Sequence, residues 1–338
     1  MSNWYLQNGK ESDVVVSTRV RLARNIAGHN FENNADSKEK EEILRDVEGI
    51  IPKIGYNLQM LKLKDIDDVS LQALVEENII SPDFVEGKDD KKAIVINPEE
   101  NICIMVNEED HMRIQVFSEG FAIDELLNLA TEVDRKIEKN IDYAYSEKYG
   151  YLTACPTNVG TGIRISVMVH LPALAKTRNL NKLLQIVNNL GMTVRGVYGE
   201  GSKSIGDMYQ ISNKQTLGIT EQEISKNMKA IIEKIIEQER TARKYLTKNS
   251  IDFEDEIYRA YGILTNARKI STEEAEKLMS TVKLGTDLGI ISELDDTKIK
   301  KMMIYIKPAN LQKYYGKIME PLERDVQRAK IIKEISKK

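Results

Sequence analysis

The chain has 338 residues, 41% of them hydrophobic and 30% charged, with a formal net charge of −4. That length can bury a sizeable core and form two domains. The slight acidity offers no general attraction to nucleic acid or an anionic membrane, so any polyanion must be met by local clusters of arginine. No apolar run reaches the length of a membrane span, and the opening MSNWYLQNGKESD lacks the basic and apolar regions of a signal peptide, so a cytoplasmic protein is expected. Cys103 sits in an apolar strand pattern and Cys155 in a polar loop, which argues against a structural disulfide, and three scattered histidines make no zinc-type cluster.

Residues 13–25 read DVVVSTRVRLARN, a β-branched run that predicts a strand on which Arg19 and Arg21 project from one face. Two neighbouring guanidinium groups repel unless an anion lies between them; a solvated strand edge is the alternative. A helix is predicted over 36–57, with Ser37 as its N-cap and Ile43, Leu44, Val47, Ile50 and Ile51 on a common side. A shorter one is predicted over 65–80. Ala93–Asn97, the turn Pro98–Asn101 and Ile102–Val106 are spaced as an antiparallel hairpin. NEEDHMR follows at 107–113, three consecutive acids that need cations or a proton-transfer task if they are partly enclosed. A solvated acidic loop would read the same way. A strand at Ile114–Phe117 and an amphipathic helix at Ile123–Lys139 come next.

The loop from Tyr151 carries Cys155, Gly160 and Gly162, whose backbone freedom would let the chain approach an anion closely. From Ile163 the odd positions to Leu171 are all apolar, and Arg164, Ser166, Met168 and His170 fall between them, which is the period of a half-buried strand. One helix is predicted over Ala173–Leu190, closed by Gly191. The strand Thr193–Tyr198 holds Arg195 and runs into Gly199-Glu200-Gly201-Ser202, and a strand at Asp207–Ser212 follows. Thr220 with Glu223 forms a capping-box pattern, and beyond it the chain reads as helices at 221–246, 252–264, 271–284, 295–305 and 319–336. The domain boundary is therefore expected at 220/221. The fold class is α+β, a mainly antiparallel sheet flanked by helices over 1–220 followed by a small all-helical domain over 221–338.

Arg19, Arg21, Arg113, Arg164 and Arg195 all fall on or beside predicted strands, with Glu109, Glu200 and Cys155 in adjoining loops. Five arginines can embrace a triphosphate while Mg²⁺ bridges its phosphates, and two carboxylates suit a cationic acceptor, one holding a guanidinium and one removing its proton. GVYGEGSKS at 196–204 misses the P-loop pattern because Ser202 stands where its lysine is required.

STRVR at 17–21, NEEDHMR at 107–113, CPTNVGTGIRIS at 155–166 and RGVYGEGS at 195–202 resemble, in order and spacing, the motifs of the ATP:guanidino phosphotransferases, the phosphagen kinases. The resemblance implies ATP and Mg²⁺ as cofactors and no protein-held metal. It implies that Arg19, Arg21, Arg113, Arg164 and Arg195 bind ATP phosphates, that Glu109 is the base, that Glu200 holds the guanidinium, and that Cys155 lies beside the acceptor nitrogen. Met168 stands where the family usually has a histidine associated with the adenine. The first motif begins at residue 17, so the helical domain that precedes it in kinases of small guanidines is expected to be missing. It looks instead like a bacterial branch of the family that phosphorylates arginine side chains of proteins. RDVQRA at 324–329 matches that branch's motif for phosphoarginine, implying a regulatory site of Arg324, Asp325 and Arg328. Implied partners are protein substrates with exposed arginines, a heat-shock repressor, a zinc-binding activator, a Clp-type unfoldase and a second copy in a homodimer. A kinase of free arginine and a non-catalytic phosphoarginine-binding adaptor are the alternative readings.

Overall fold

The computed structural model describes residues 4–6, 9–86, 89–196, 205–248 and 250–337. Strand β1 (Val15–Arg24) leads to α1 (Ser37–Ile54), β2 (Gln59–Lys62), α2 (Asp68–Glu76) and the single turn α3 (Pro82–Val85). The hairpin β3 (Ala93–Ile96) and β4 (Ile102–Val106) forms as its spacing predicts, followed by β5 (Met112–Glu119) and α4 (Ile123–Glu138). After a two-strand ribbon, β6 (Tyr145–Ser146) and β7 (Gly150–Tyr151), comes β8 (Ile163–His170). The helices α5 (Pro172–Lys176) and α6 (Leu180–Asn189) precede β9 (Met192–Gly196) and β10 (Met208–Asn213). The remainder is helical: α7 (Glu221–Leu246), α8 (Ser250–Asn266), α9 (Thr272–Asp287), α10 (Asp296–Tyr305), α11 (Pro308–Tyr315) and α12 (Pro321–Lys337).

Among the described residues eight strands form one antiparallel sheet in the order β2-β3-β4-β5-β1-β8-β10-β9, with β1 and β8 at its centre. Cross-strand register settles what each face carries. Val20 lies between Val116 and Ile165, and Leu22 between Ile114 and Ile163, so one face is apolar and packs against α1, α4 and α7. Side chains alternate along a strand, so the other face receives the residues in between. At its β2-β3-β4 end Ile94, Ile96, Cys103 and Met105 make a second apolar cluster with Trp4, Leu71, Leu74 and Phe84. Toward the centre that face is polar.

Several local expectations change. The N-cap of α1 is Asp36 rather than Ser37: its carboxylate accepts from the Lys38 and Glu39 amides at 2.8 and 2.9 Å, and Glu39 closes a capping box. The single helix expected over 173–190 is broken at Thr177–Asn179, where Arg178 takes a φ of 59° and the amides turn back onto Ala173, Ala175 and Leu174. The sequence reading also lacks α11, which starts at Pro308 and is capped from outside by the Glu76 carboxylate, accepting from the Ala309 and Asn310 amides at 2.7 and 2.9 Å. The capping box at Thr220 and Glu223 forms as expected.

Helix α7 lends Ile224, Met228, Ile232, Ile235 and Ile236 to the core of the sheet, and a separate apolar cluster begins at Phe253. On that packing we place the domain boundary at the end of α7 instead of at 220/221. The two regions are tied by Glu76 on α11, by the Glu119 ion pair with Lys300, and by a chain of hydrogen bonds. In that chain His170 Nε2 donates to Ser280 Oγ at 2.9 Å and Ser280 Oγ donates to Asp207 at 3.0 Å. The Nδ1 atom of His170 is buried with no hydrogen-bond partner among the described residues.

Burial, with Lys283 and Arg243 nearby, pushes the His170 pKa well down, and burial lowers that of His111 too. The unfolded chain takes up these protons near pH 6.5 and the folded chain resists them. Stability is therefore full above that pH and falls below it, by at most about 1.4 kcal/mol per unit for each ring. Melting followed from pH 7.5 to 5 is expected to fall in Tm, and His170→Gln is expected to flatten that fall; an unchanged pH slope in the variant contradicts the account.

Candidate active site

The central strands set out the arginines. Arg21 pairs across β1 and β8 with Arg164, Arg19 pairs with Ser166 on one side and Phe117 on the other, and Arg113 on β5 pairs with Ala23. Arg195 on β9 pairs with Gln210, which pairs with Met168. Directly paired residues point to the same face, so Arg19, Arg21, Arg113, Arg164 and Arg195 all stand on the polar side of one sheet. Arg19 Nη2 donates to Gln210 Oε1 at 3.4 Å. The Nε atoms of Arg21 and Arg113 are buried with no hydrogen-bond partner among the described residues.

Burial first, then Arg164, Arg113 and Arg195, push the Arg19 pKa down to about 10; burial with Arg113, Arg19 and Arg164 pushes that of Arg21 well down. A cation whose folded pKa lies below its unfolded value destabilises the fold at any pH where it stays charged. A polyanion laid across this face removes that cost.

The acid loop has three distinct duties. Asp110 is fully buried, and its Oδ1 accepts from Asn25 Nδ2 at 2.7 Å and from the Ala154 amide at 2.8 Å. It thereby fastens the acid loop to the loop of Cys155. Glu108 accepts from Ser81 Oγ at 2.7 Å, caps the Glu109 amide at 2.6 Å and pairs with Arg113. Glu109 pairs with Arg113 at 2.7 Å and is the open member, with its side chain 36% exposed against 6% for Glu108. Exposure therefore singles out Glu109 as the carboxylate an incoming cation can reach. Cys155 is half-buried, and its Sγ lies 3.0 Å from Thr157 Oγ1. Glu200 lies outside the described residues, as does the rest of Gly199–Ser202.

The two loop glycines serve the protein's own packing. A Cβ at Gly160, where φ is 111°, would stand 2.3 Å from the Thr216 carbonyl oxygen. One at Gly162, where φ is 63°, would stand 2.6 Å from Arg24 Nη1 and 2.7 Å from the Ala23 carbonyl. Arg24, which sequence reasoning passed over, is buried and binds Asp134 through Nε and Nη2 at 3.1 and 2.8 Å. It donates to the Thr161 carbonyl at 3.0 Å and lies 3.6 Å from the Tyr151 ring centroid. It points away from the other arginines because it sits at an even position of β1; that parity is readable in the sequence.

The C-terminal motif is arranged otherwise than expected. Arg328 is 1% exposed and donates to the Ile306 and Ile270 carbonyls at 2.6 and 2.8 Å, and its Nη1 also reaches Asp325 at 2.6 Å. Arg328 therefore does not share an open face with Arg324, and Asp325 holds Arg328 in place of an external guanidinium. Arg324 is half-buried and donates to the Met319 carbonyl at 2.8 Å.

A row of guanidinium groups on one sheet face, with a partly exposed carboxylate ion-paired to one of them, is an arrangement able to hold a polyanion. Residues 41–242 match the family model described as ATP:guanido phosphotransferase, C-terminal catalytic domain, and residues 250–338 match Protein-arginine kinase McsB C-terminal domain. The chain belongs to the ATP:guanido phosphotransferase family. Arg19 and Arg21 precede the first matched segment, so their placement rests on the sheet.

Similar proteins include one named Protein-arginine kinase from Halothermothrix orenii, 47% identical over 98% of this chain and 96% of its own. Another of the same name from Bacillus subtilis is 43% identical over 99% and 93%. Among solved structures, the duplicated taurocyamine kinase from Schistosoma mansoni with bound transition state analog components is 28% identical at a TM-score of 0.62. That match covers 68% of this chain but only 33% of the other. Lombricine kinase is 25% identical at a TM-score of 0.60, over 69% of this chain and 68% of its own.

Arg19→Gln removes one of the mutually repelling charges and is expected to raise Tm of the nucleotide-free protein by about 2–4 °C, the equivalent of about 1 kcal/mol, while weakening ATP binding about tenfold or more. Scanning calorimetry with and without MgATP checks both. A lower Tm without nucleotide would show that the cluster is already neutralised.

Proposed function

We propose that this chain is a kinase that moves the γ-phosphoryl group of ATP onto arginine side chains of proteins. The observation that carries the reading is the row of guanidinium groups on one sheet face with Glu109 exposed at its end. Full-length similarity to proteins named Protein-arginine kinase supports the acceptor class.

In this mechanism Arg19, Arg21, Arg113, Arg164 and Arg195 hold the phosphate oxygens and offset the charge that spreads over them in flight. The acceptor guanidinium docks against Glu109 and, in the family pattern, Glu200. Glu109 takes one N–H proton, the freed nitrogen lone pair forms the P–N bond, and the bond from the γ-phosphorus to the bridging oxygen breaks, releasing ADP. Cys155, held near Glu109 through the Asp110–Ala154 link, orients the acceptor. Among the described residues no group of three or more His, Cys, Asp or Glu could hold a metal. Mg²⁺ bound with the nucleotide would supply shielding of phosphate charge beside the arginines.

Regulation by phosphoarginine at the C-terminal motif is part of the proposal, narrowed by geometry to Arg324 as the phosphate contact, with Arg328 and Asp325 as its support. The heat-shock repressor, zinc-binding activator, Clp-type unfoldase, homodimer and cytoplasmic setting are proposals carried by the family resemblance. No described helix is long and apolar enough to cross a membrane.

Incubation with MgATP and either unfolded casein or free arginine is expected to give acid-labile phosphate on casein. Glu109→Gln is expected to lose about 10²–10⁴ of the rate with ATP affinity and Tm retained. Preference for free arginine would favour a small-guanidine kinase, and a variant as active as the parent would remove Glu109 as the base. Separately, Arg324→Ala is expected to blunt the response to added phosphoarginine at unchanged Tm. Arg328→Ala strips two buried carbonyls and Asp325 of their donor and is expected to cost about 2–4 kcal/mol of stability; denaturant melts of the two variants would show the difference.

A further inference from the structure

Helices α4 and α7, which cover the apolar reverse of the sheet, leave a groove of about 620 Å³ between them that phosphoryl transfer does not use. That volume is within the roughly 300–1,000 Å³ of a binding site. One wall follows α4 at helical spacing through Asp124, Asn128, Thr131 and Arg135 and ends at Lys139, just past the helix. The facing wall is Gln222, Ser225, Lys226 and Lys229, again three and four residues apart on α7.

Charge in the groove runs against that of the chain. Five basic side chains line it against two acids, in a protein of net charge −4. Both acids are taken: Asp124 accepts from Lys229 Nζ at 2.7 Å and Ser225 Oγ at 3.2 Å, and Glu132 pairs with Lys136 at 2.9 Å. Arg135, Lys139 and Lys226 are exposed, and none of them forms an ion pair among the described residues. Glu221, at the start of α7, feels the charge of Arg135 without closing a pair with it. Three cations of one groove therefore face solvent together.

We propose that this groove docks an extended acidic segment of a partner protein. From Asp124 to Lys139 the helix rises about 22 Å, the length of about six or seven residues of extended chain. Charge complementarity selects carboxylates for Arg135, Lys139 and Lys226. Between these cations Asn128 and Gln222 expose carboxamides, which pair with the N–H and C=O groups of a peptide backbone. Among the described residues no aromatic ring lines the groove, so nothing there stacks on bases, which favours a polypeptide over a nucleic acid. The groove lies on the reverse of the sheet from the five arginines of the candidate active site, so a segment held there leaves their face open. Docking does not depend on the reaction assigned to that face.

Fluorescence anisotropy of the full chain with a labelled peptide of about eight residues, alternating Glu and Ser, tests this at physiological salt. The parent is expected to bind the peptide. The triple variant Arg135→Glu, Lys139→Glu, Lys226→Glu is expected to bind it at least tenfold more weakly. Glutamine at the same three positions, which avoids placing acids at the C-terminal end of α4, is expected to weaken it at least threefold with Tm retained. Reversal of three exposed lysines elsewhere, Lys244, Lys248 and Lys277, is expected to leave affinity within twofold. No binding by the parent, or an equal loss in the two reversed triples, overturns the proposal. Arg21→Gln is expected to leave peptide affinity within twofold; a larger loss places the peptide on the arginine face and not in the groove. A single-stranded oligonucleotide of equal charge that binds the groove more tightly than the peptide overturns the choice of partner.

Discussion

Like charges gathered on one face of a sheet are the constraint around which this structure is built. The antiparallel order of β5, β1, β8, β10 and β9 makes five distant arginines neighbours, and burial takes from Arg19 and Arg21 part of the water that would screen the repulsion. Such an arrangement is destabilising by itself and persists because the apolar reverse of the sheet, packed on α1, α4 and α7, over-determines the strand register. A one-residue slip of β1 would turn Arg19 and Arg21 into that core. The same register that buries Val20 and Leu22 therefore aims the site.

The loops at the end of the arginine row are held by polar links of high local stability. Asp110 joins Asn25, at the end of β1, to Ala154 beside Cys155, and His111 joins the Ile26 amide to the Asn30 carbonyl. Arg24 and Asp134 pin the glycine loop against α4. These groups are buried and multiply bonded, so their part is to fix geometry. Glu109 differs from its neighbours Glu108 and Asp110 in being reachable, and that difference separates three acids that look alike in the sequence.

Much of this was legible in the sequence where local physics decides. The alternation from Ile163, the hairpin around Pro98–Asn101 and the capping box at Thr220 each carry their own period or turn chemistry, and each appears in the structure. What was not legible depends on distant chain. The break at Arg178 has no glycine or proline to mark it, and α11 takes its cap from Glu76, more than two hundred residues earlier. Arg324 and Arg328 are one turn apart, yet spacing alone cannot tell that the Ile270 and Ile306 carbonyls claim the second of them. The close approach of Thr216 and Ala23 to the glycines of the loop was not legible either, because they come near only in the folded chain.

The most direct test of this arrangement is the arginine side-chain Nε–H NMR spectrum of the full chain, assigned by substitution and recorded with and without saturating MgADP. The signals of Arg19, Arg21, Arg113, Arg164 and Arg195 are expected to shift together, while that of Arg24, sealed against Asp134, stays where it is. If Arg19 and Arg21 do not move at saturation, the sheet face is not the anion site and the account of why these charges are gathered there is wrong.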